Sequence, residues 1–563
     1  MKSNTFGTSR VCIAHHLPRT ESYAWCAVHT LRLHIAVAAL LCGQALANAG
    51  AGDTLKVDVR KRVAEADAPE RAHIVCEAQQ WKPAETAIVI CDMWNQHWCK
   101  GATDRVSELA PVMNRVVSVA RDKGMLIIHA PSGTIDHYKD HPARRRVKAA
   151  PKADNVPAGI ESWCPWKDET EKKVYPIDQS DGGCDCQPRC KEASPWTGQI
   201  DAIAIKDVDA ISDSGVEVWN LLEQRGVRNV ILMGVHTNMC VLGRPFGLRN
   251  LAKAGKNVVL MRDMTDTMYN SRQPPNVNHF TGTDLIVEHI ERYICPTVAS
   301  TVFTGQPPFR FQEDKRPSVV FLSAENEYNA AETLPVFAHE LELHHGLRCE
   351  ILQASTAKQG EEIHFISGME TLTNADLVVV YARRRGFQAD QMKYLQDFLD
   401  RGKPLIGLRT ASHAFDSRGS APKEGHDEWL KFDPEVLGGN YHGHYSAGPV
   451  ATITLADVAP PPSGVNPAGG GWATGHPILK GIELPLRSNG SLYKASPLAA
   501  GATLLLTGEI PDEKPEPVAW THQYKNSRVF YTSLGHVDDF ASPQFRKLLT
   551  NAIFWAMNRP IAD

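Results

Sequence analysis

Three residues have types and positions that could perform nucleophilic chemistry. Asp92 follows the apolar run Thr86–Cys91 (TAIVIC), and Lys206 ends the run 202–206 (AIAIK). Cys240 follows the run 229–234 (NVILMG) after the short loop VHTNM. A cysteine at the start of a helix meets unpaired N–H groups and a positive dipole end, and both favour a thiolate. A nearby ammonium lowers its pKa further, and a carboxylate can move the proton. Singly, each residue has a plainer reading: a core cysteine, a helix cap, a surface lysine. Together, at three strand ends, they predict a covalent site. Trp94, Asn95, His97 and Thr237 lie beside it in sequence and are candidates to line a substrate pocket, with core packing as the alternative.

A second group lies further along. After the run 404–408 comes Arg409-Thr410-Ala411-Ser412-His413, and His442, His444 and His536 follow in Gly/Tyr-rich or Gly-containing strings. A His-x-His pair with a distant third histidine can hold a metal. Tyr441, Tyr445 and Trp429 would suit stacking on a sugar ring. Hydrogen-bonded structural histidines are the third reading, and all three stay open. Cys349, the sole cysteine after Cys295, falls inside an apolar run, so no nucleophile is expected in this part of the chain.

The elements that must position these residues can be read from the hydrophobic pattern. Runs at 86–91, 125–130, 202–206, 229–234 and 257–261 alternate with helical patterns near 104–122, 214–225, 240–254 and 282–292. Continuous Val/Ile/Leu runs predict strands buried on both faces of a parallel sheet. Such sheets carry their functional loops at the carboxyl ends of the strands. Pro245 interrupts the helical pattern after Cys240. Residues 295–316 read as a linker, rich in proline and polar residues. A second alternation then begins, with runs at 318–322, 348–352, 377–381, 404–408, 503–507 and 528–532 and helices near 330–345, 388–401 and 542–557. Residues 458–471 are a low-complexity insertion. The expected fold class is α/β with two doubly wound parallel-sheet domains: an N-terminal extension at 1–49, a first domain at 50–294, a linker at 295–316 and a second domain at 317–563.

With 563 residues the chain is too long for one core. Its 43% hydrophobic and 22% charged residues exclude wholesale disorder and coiled coil. A net charge of −4 argues against a nucleic-acid partner. The segment Leu31–Ala49 has an apolar centre and ends in Ala47-Asn48-Ala49, the small-x-small form of a signal-peptidase site. It predicts export to the periplasm by cleavage after Ala49. Cys42 is a poor lipoprotein site because bulky Leu41 precedes it. No run reaches the roughly 18 apolar residues of a stable membrane span. Cys164, Cys184, Cys186 and Cys190 group in a Gly/Asp/Pro-rich loop, where disulfides or one metal site would both staple it. Export favours disulfides.

The first set of motifs resembles the isochorismatase-like cysteine hydrolase superfamily, which includes nicotinamidases and carbamoylsarcosine-type amidases. The matching parts are Asp92-Met93-Trp94-Asn95, Lys206, the string 234–241 (GVHTNMCV) and Arg262-Asp263. The resemblance implies that Asp92, Lys206 and Cys240 form a catalytic triad. It also implies an oxyanion hole from the backbone N–H groups of His236 and Cys240, with a cis peptide at Val235–His236. The implied reaction is hydrolysis of an amide-type C–N bond in a small molecule through a thioester, needing no cofactor; a homo-oligomer is implied by the same analogy. Nicotinamidases also bind a divalent metal. Here Asp136, His137 and His141 offer ligand types in the right region at a different spacing, and a solvated loop is the alternative.

The second set resembles the trehalose-utilisation (ThuA-like) family, which has a flavodoxin-like, class I glutamine-amidotransferase-like fold. The strings are 407–415 (GLRTASHAF), 438–444 (GGNYHGH), 476–478 (HPI) and 528–536 (RVFYTSLGH). The resemblance implies carbohydrate catabolism and names Arg409, His413, His442, His444 and His536 as a site without assigned roles. The expectation is therefore an exported cysteine hydrolase fused to a carbohydrate-associated module. In one rival reading the second domain is the active part; in another Cys240 is inert in a binding protein.

Overall fold

The computed structural model describes residues 54–64, 72–456 and 475–561. The export signal, Cys42 and the low-complexity segment 458–471 lie outside the described residues.

Two large sheets organise the chain, both α/β. The first contains β1 (Leu55–Ala64), β2 (Ala72–Trp81), β3 (Thr86–Cys91), β4 (Leu126–Ala130), β5 (Ala210–Ile211), β6 (Asn229–Val235), β7 (Asn257–Asp266) and β8 (Thr297–Val298). Its order is β2-β1-β8-β7-β6-β3-β4-β5. The strands β8, β7, β6, β3, β4 and β5 run parallel. All six side chains of β3 are buried, as expected for a strand covered on both faces. The helix Lys100–Asp122 buries Val106, Leu109, Ala110, Met113, Val116, Val117 and Ala120 on one stripe, which is the three-to-four-residue spacing that packs a helix on a sheet.

The second sheet contains β9 (Ser318–Ala324), β10 (Arg348–Gln353), β11 (Leu377–Ala382), β13 (Leu405–Leu408), β15 (Ala451–Leu455), β16 (Leu486–Ser488), β17 (Thr503–Glu509), β18 (Glu516–Tyr524) and β19 (Ser527–Thr532). Two short strands, β12 (Phe387–Gln388) and β14 (His426–Asp427), pair apart from it. The order is β10-β9-β11-β13-β19-β18-β17-β15-β16. It is parallel as far as β19 and antiparallel beyond it.

Several expectations need correction. Residues 202–206 form no strand: the Ala204 N–H donates to Asn114 Oδ1, and the Lys206 N–H to Asp209 Oδ2 at 2.7 Å. Side chains thus take backbone groups that a ladder would need. The segment 295–316 is not a loose connector. It supplies β8 to the first sheet and buries Phe303 and Phe311 in that core. The β1–β2 hairpin went unread, and it bridges the lobes. Arg60 on β1 donates to Glu291 at 2.7 Å and to Glu350 on β10 at 2.6 Å, and Ile74 packs into the core of the second sheet. Among the described residues no helix is long and apolar enough to cross a membrane.

Candidate active site

One glycine at a strand end brings Asp92 and Cys240 together. Gly234 has φ +114°, and a Cβ there would lie 2.1 Å from the Cys91 carbonyl oxygen. The ends of β3 and β6 can therefore close on each other only with glycine at this position. Asp92 itself has φ +47°, an uncommon conformation for a residue with a side chain, of the kind that concentrates at functional sites. Its carboxylate is fully buried. Oδ1 accepts the Ser132 N–H at 2.8 Å and Oδ2 accepts Arg244 Nε at 2.9 Å. The Cys240 thiol pairs with the same carboxylate, and the His236 N–H is directed at the sulfur. The Val235–His236 peptide is cis.

Lys206 is not part of this group. It lies exposed in a turn before β5, and the charges acting on Cys240 are those of Asp92 and Arg244. The cation of the site is Arg244. The helix expected at 240–254 is broken: Thr237–Val241 is a wide π-type turn, and a regular helix resumes only at Leu248–Lys253. Pro245 falls in the break, where it cannot continue a helix. The Arg244 side chain is thereby released towards Asp92. Sequence reasoning passed over Arg244, although a basic residue four after the nucleophile and just before a proline was the available signal.

The electrostatics also differ from expectation. Burial, and next the negative Asp92, push the Cys240 thiol well above its ordinary pKa. Burial likewise raises Asp92, with Arg244 opposing. Both effects on the sulfur favour the protonated thiol over a thiolate poised by a helix end. Cys240 is 9% exposed, so approach is narrow. Trp163 covers this turn. A Cβ on Gly243 would lie 2.5 Å from its ring, and the Cys164 N–H donates to the Gly243 carbonyl at 2.8 Å.

The aromatic neighbours form a wall. Trp94 stacks on Trp196 at 4.5 Å, and His97 meets His236 edge-on at 4.8 Å. Burial pushes His97 down to about 4, so it is neutral at pH 7. The Trp94 indole N–H donates to the Ser132 carbonyl, linking the wall to the Asp92 loop. Asn95 and Thr237 are committed elsewhere. Asn95 exchanges two hydrogen bonds with Thr197, and the Thr237 hydroxyl pairs with that of Thr265 at 2.6 Å. Asp136 and His137 are exposed, and His141 caps the helix Pro142–Lys148. These three do not converge and do not fit a metal. Two clusters of ligand type do occur among the described residues, Cys99-Cys184-Cys186-Cys190 and Glu288-His339-Glu342.

The residues expected in the second lobe divide into two settings. Arg409, at the end of β13 with φ +41°, is buried. Its guanidinium lies between the rings of Tyr328 (4.2 Å) and Tyr493 (4.7 Å) and donates to the Ser533 carbonyl at 2.7 Å. It holds loops together. His536 caps the short helix that follows it and meets Tyr328 edge-on. His413 instead lines a cavity of about 430 Å³ with Asp433, Tyr441, His442, Asn440 and Arg384. It stacks on Tyr441 at 4.5 Å, and burial pushes it down to about 2. His444 is exposed and bonds to the Tyr445 carbonyl. These histidines do not gather into a ligand set among the described residues. Asp433 was missed by sequence reasoning. Its Oδ2 accepts the Tyr441 N–H at 2.7 Å, Oδ1 has no partner, and burial raises it to about 7.

Residues 319–556 match the family model described as ThuA, trehalose utilisation. The C-terminal lobe is a ThuA domain. The Arg409 and His413 settings both lie inside it. No curated protein matches the chain. Among solved structures, a ThuA-like protein from Parabacteroides merdae is 16% identical, with 44% of this chain and 93% of that one covered at a TM-score of 0.32. A cysteine hydrolase from Pseudomonas syringae is 16% identical, covering 39% and 91%, TM-score 0.25. The N-carbamoylsarcosine amidase of Thermoplasma acidophilum is 11% identical, covering 38% and 96%, TM-score 0.22.

Proposed function

We propose that the N-terminal lobe is a hydrolase that cleaves an amide-type C–N bond through a thioester on Cys240. The observation that carries this reading is the buried carboxylate of Asp92, shared between the Cys240 thiol and Arg244 Nε at 2.9 Å. As the sulfur attacks the substrate carbonyl carbon, Asp92 takes the thiol proton. The developing oxyanion is met by the N–H of His236 and of the nucleophile. Collapse breaks the C–N bond, and Asp92 returns the proton to the leaving nitrogen. Water, deprotonated by Asp92, then attacks the thioester; the acid departs and Cys240 recovers its proton. Arg244 opposes the burial that favours the neutral form of Asp92.

The test is ammonia release from a panel of primary amides, ureido acids and amidated sugars, comparing wild type with Cys240→Ala. Turnover by the wild type alone is expected. Equal turnover by both overturns the assignment.

A second reading has its own support. The ThuA cavity lined by His413, Tyr441, His442 and Asn440, with the Tyr441 ring stacked on His413, suits a polyol or sugar. On this reading the ThuA domain is the binding or active part. An exported location fits either reading.

A further inference from the structure

A second constructed site lies beside the first and is used by no step above. The sulfurs of Cys99, Cys184, Cys186 and Cys190 all lie within 4.8 Å of one another, and those of Cys99 and Cys186 are 3.8 Å apart. Four sulfurs at the usual ~2.3 Å from a tetrahedral zinc define edges of about 3.8 Å, whereas a disulfide requires about 2.05 Å. Cys164 does not belong to this group. Its sulfur faces Lys253 Nζ and the Trp166 carbonyl.

The surroundings are those of bound thiolates. Cys99 is the N-cap of the 23-residue helix Lys100–Asp122. The N–H groups of Lys100 and Gly101 donate to the sulfurs of Cys190 and Cys186, each at 3.4 Å. Outer-shell N–H donors of this kind orient thiolate ligands and spread their charge. Ala102, Met268, Trp98 and Met239 close an apolar shell around the sulfurs. The turn that delivers the loop ligands is built for its place: Gly183 has φ +75°, and a Cβ there would lie 2.2 Å from the Met268 carbonyl oxygen. Asp185, between two of the cysteines, accepts from the hydroxyl and N–H of Ser271.

We infer that Cys99, Cys184, Cys186 and Cys190 bind one zinc ion as a structural tetrathiolate site. The ion clamps the loop 181–190 onto the segment that carries Trp94 and His97, and onto the turn that carries Cys240. Four protein thiolates leave no open position, so the metal takes no part in the chemistry at Cys240. On binding, each thiol gives its proton to solvent and no oxidation occurs.

The full chain, purified without chelator, should contain about one zinc per molecule. Titration of the wild type with an organomercurial should release that zinc as about four thiols are modified. Cys186→Ser should lower zinc content about tenfold or more, while Cys164→Ser and Cys240→Ala keep it. Cobalt exchanged for zinc should give the strong visible absorption of a tetrahedral tetrathiolate. Metal-free protein with two disulfides among these four cysteines by peptide mass would overturn the inference, as would full zinc content in Cys186→Ser. Because Cys240→Ala keeps its zinc, failure of the hydrolase assignment and failure of this one are separable.

Discussion

The two lobes treat a buried carboxylate in opposite ways. In the first, both oxygens of Asp92 are engaged, by the Ser132 N–H, Arg244 Nε and the Cys240 thiol. The opening is narrow. In the second, Asp433 borders a cavity of about 430 Å³, but its Oδ1 is sealed from solvent and has no partner. A carboxylate beside both a cation and a thiol is suited to moving protons for a nucleophile. One left half-satisfied and sealed from solvent is driven towards its protonated form, since an unpaired buried acceptor costs about 1–3 kcal/mol. Burial alone does not define a role; what the buried group is paired with does.

The largest effect that would break this comparison is on hydrolysis. Cys240→Ala should reduce amide turnover by at least about 10³-fold, whereas His413→Ala should leave it unchanged. The reverse pattern would move the chemistry to the ThuA domain. Next comes the cation. Arg244→Ala removes the charge that favours the ionised form of Asp92 and should lower kcat by roughly 10²-fold or more, while Lys206→Ala should stay within about twofold. Equal losses would restore the lysine to the site.

A smaller effect concerns stability. Asp433 is raised to about 7 from an ordinary value of 3.8. Between those values the unfolded chain has released a proton that the folded protein still holds. Folding stability therefore falls as pH rises from about 4 to 7, by at most about 4 kcal/mol. Asp433→Asn should flatten that slope in denaturant melts taken across the range; an unchanged slope contradicts the burial assigned to Asp433. The smallest effect is on thiol reactivity. Alkylation of Cys240 should follow an apparent pKa above that of an ordinary thiol, because burial and Asp92 both oppose the thiolate. A value well below it would reinstate a preformed thiolate.

Much of the fold could be read from the sequence because strands buried on both faces leave continuous apolar runs: β3 was read to the residue, and β6 to within one. Asp92 and Cys240 were legible for the same reason, since each follows such a run. Lys206 misled because AIAIK has strand composition, while Asn114 and Asp209 hold its backbone in turns. That decision is tertiary. Arg244 depends on where a proline-broken turn points its side chain, and Cys99 joins a cysteine loop more than eighty residues away; neither leaves a periodic trace. The antiparallel extension β18-β17-β15-β16 was only partly read, because β15, β16 and β17 mix buried and exposed positions and β18 carries polar and proline residues within its run.

The central claim is that Cys240 becomes acylated. Turnover of an accepted amide would be quenched with acid and the peptide carrying Cys240 weighed by mass spectrometry. An acyl adduct is expected on that peptide in the wild type, absent in Cys240→Ala together with turnover. Hydrolysis at full rate in Cys240→Ala, with no adduct in the wild type, would contradict it.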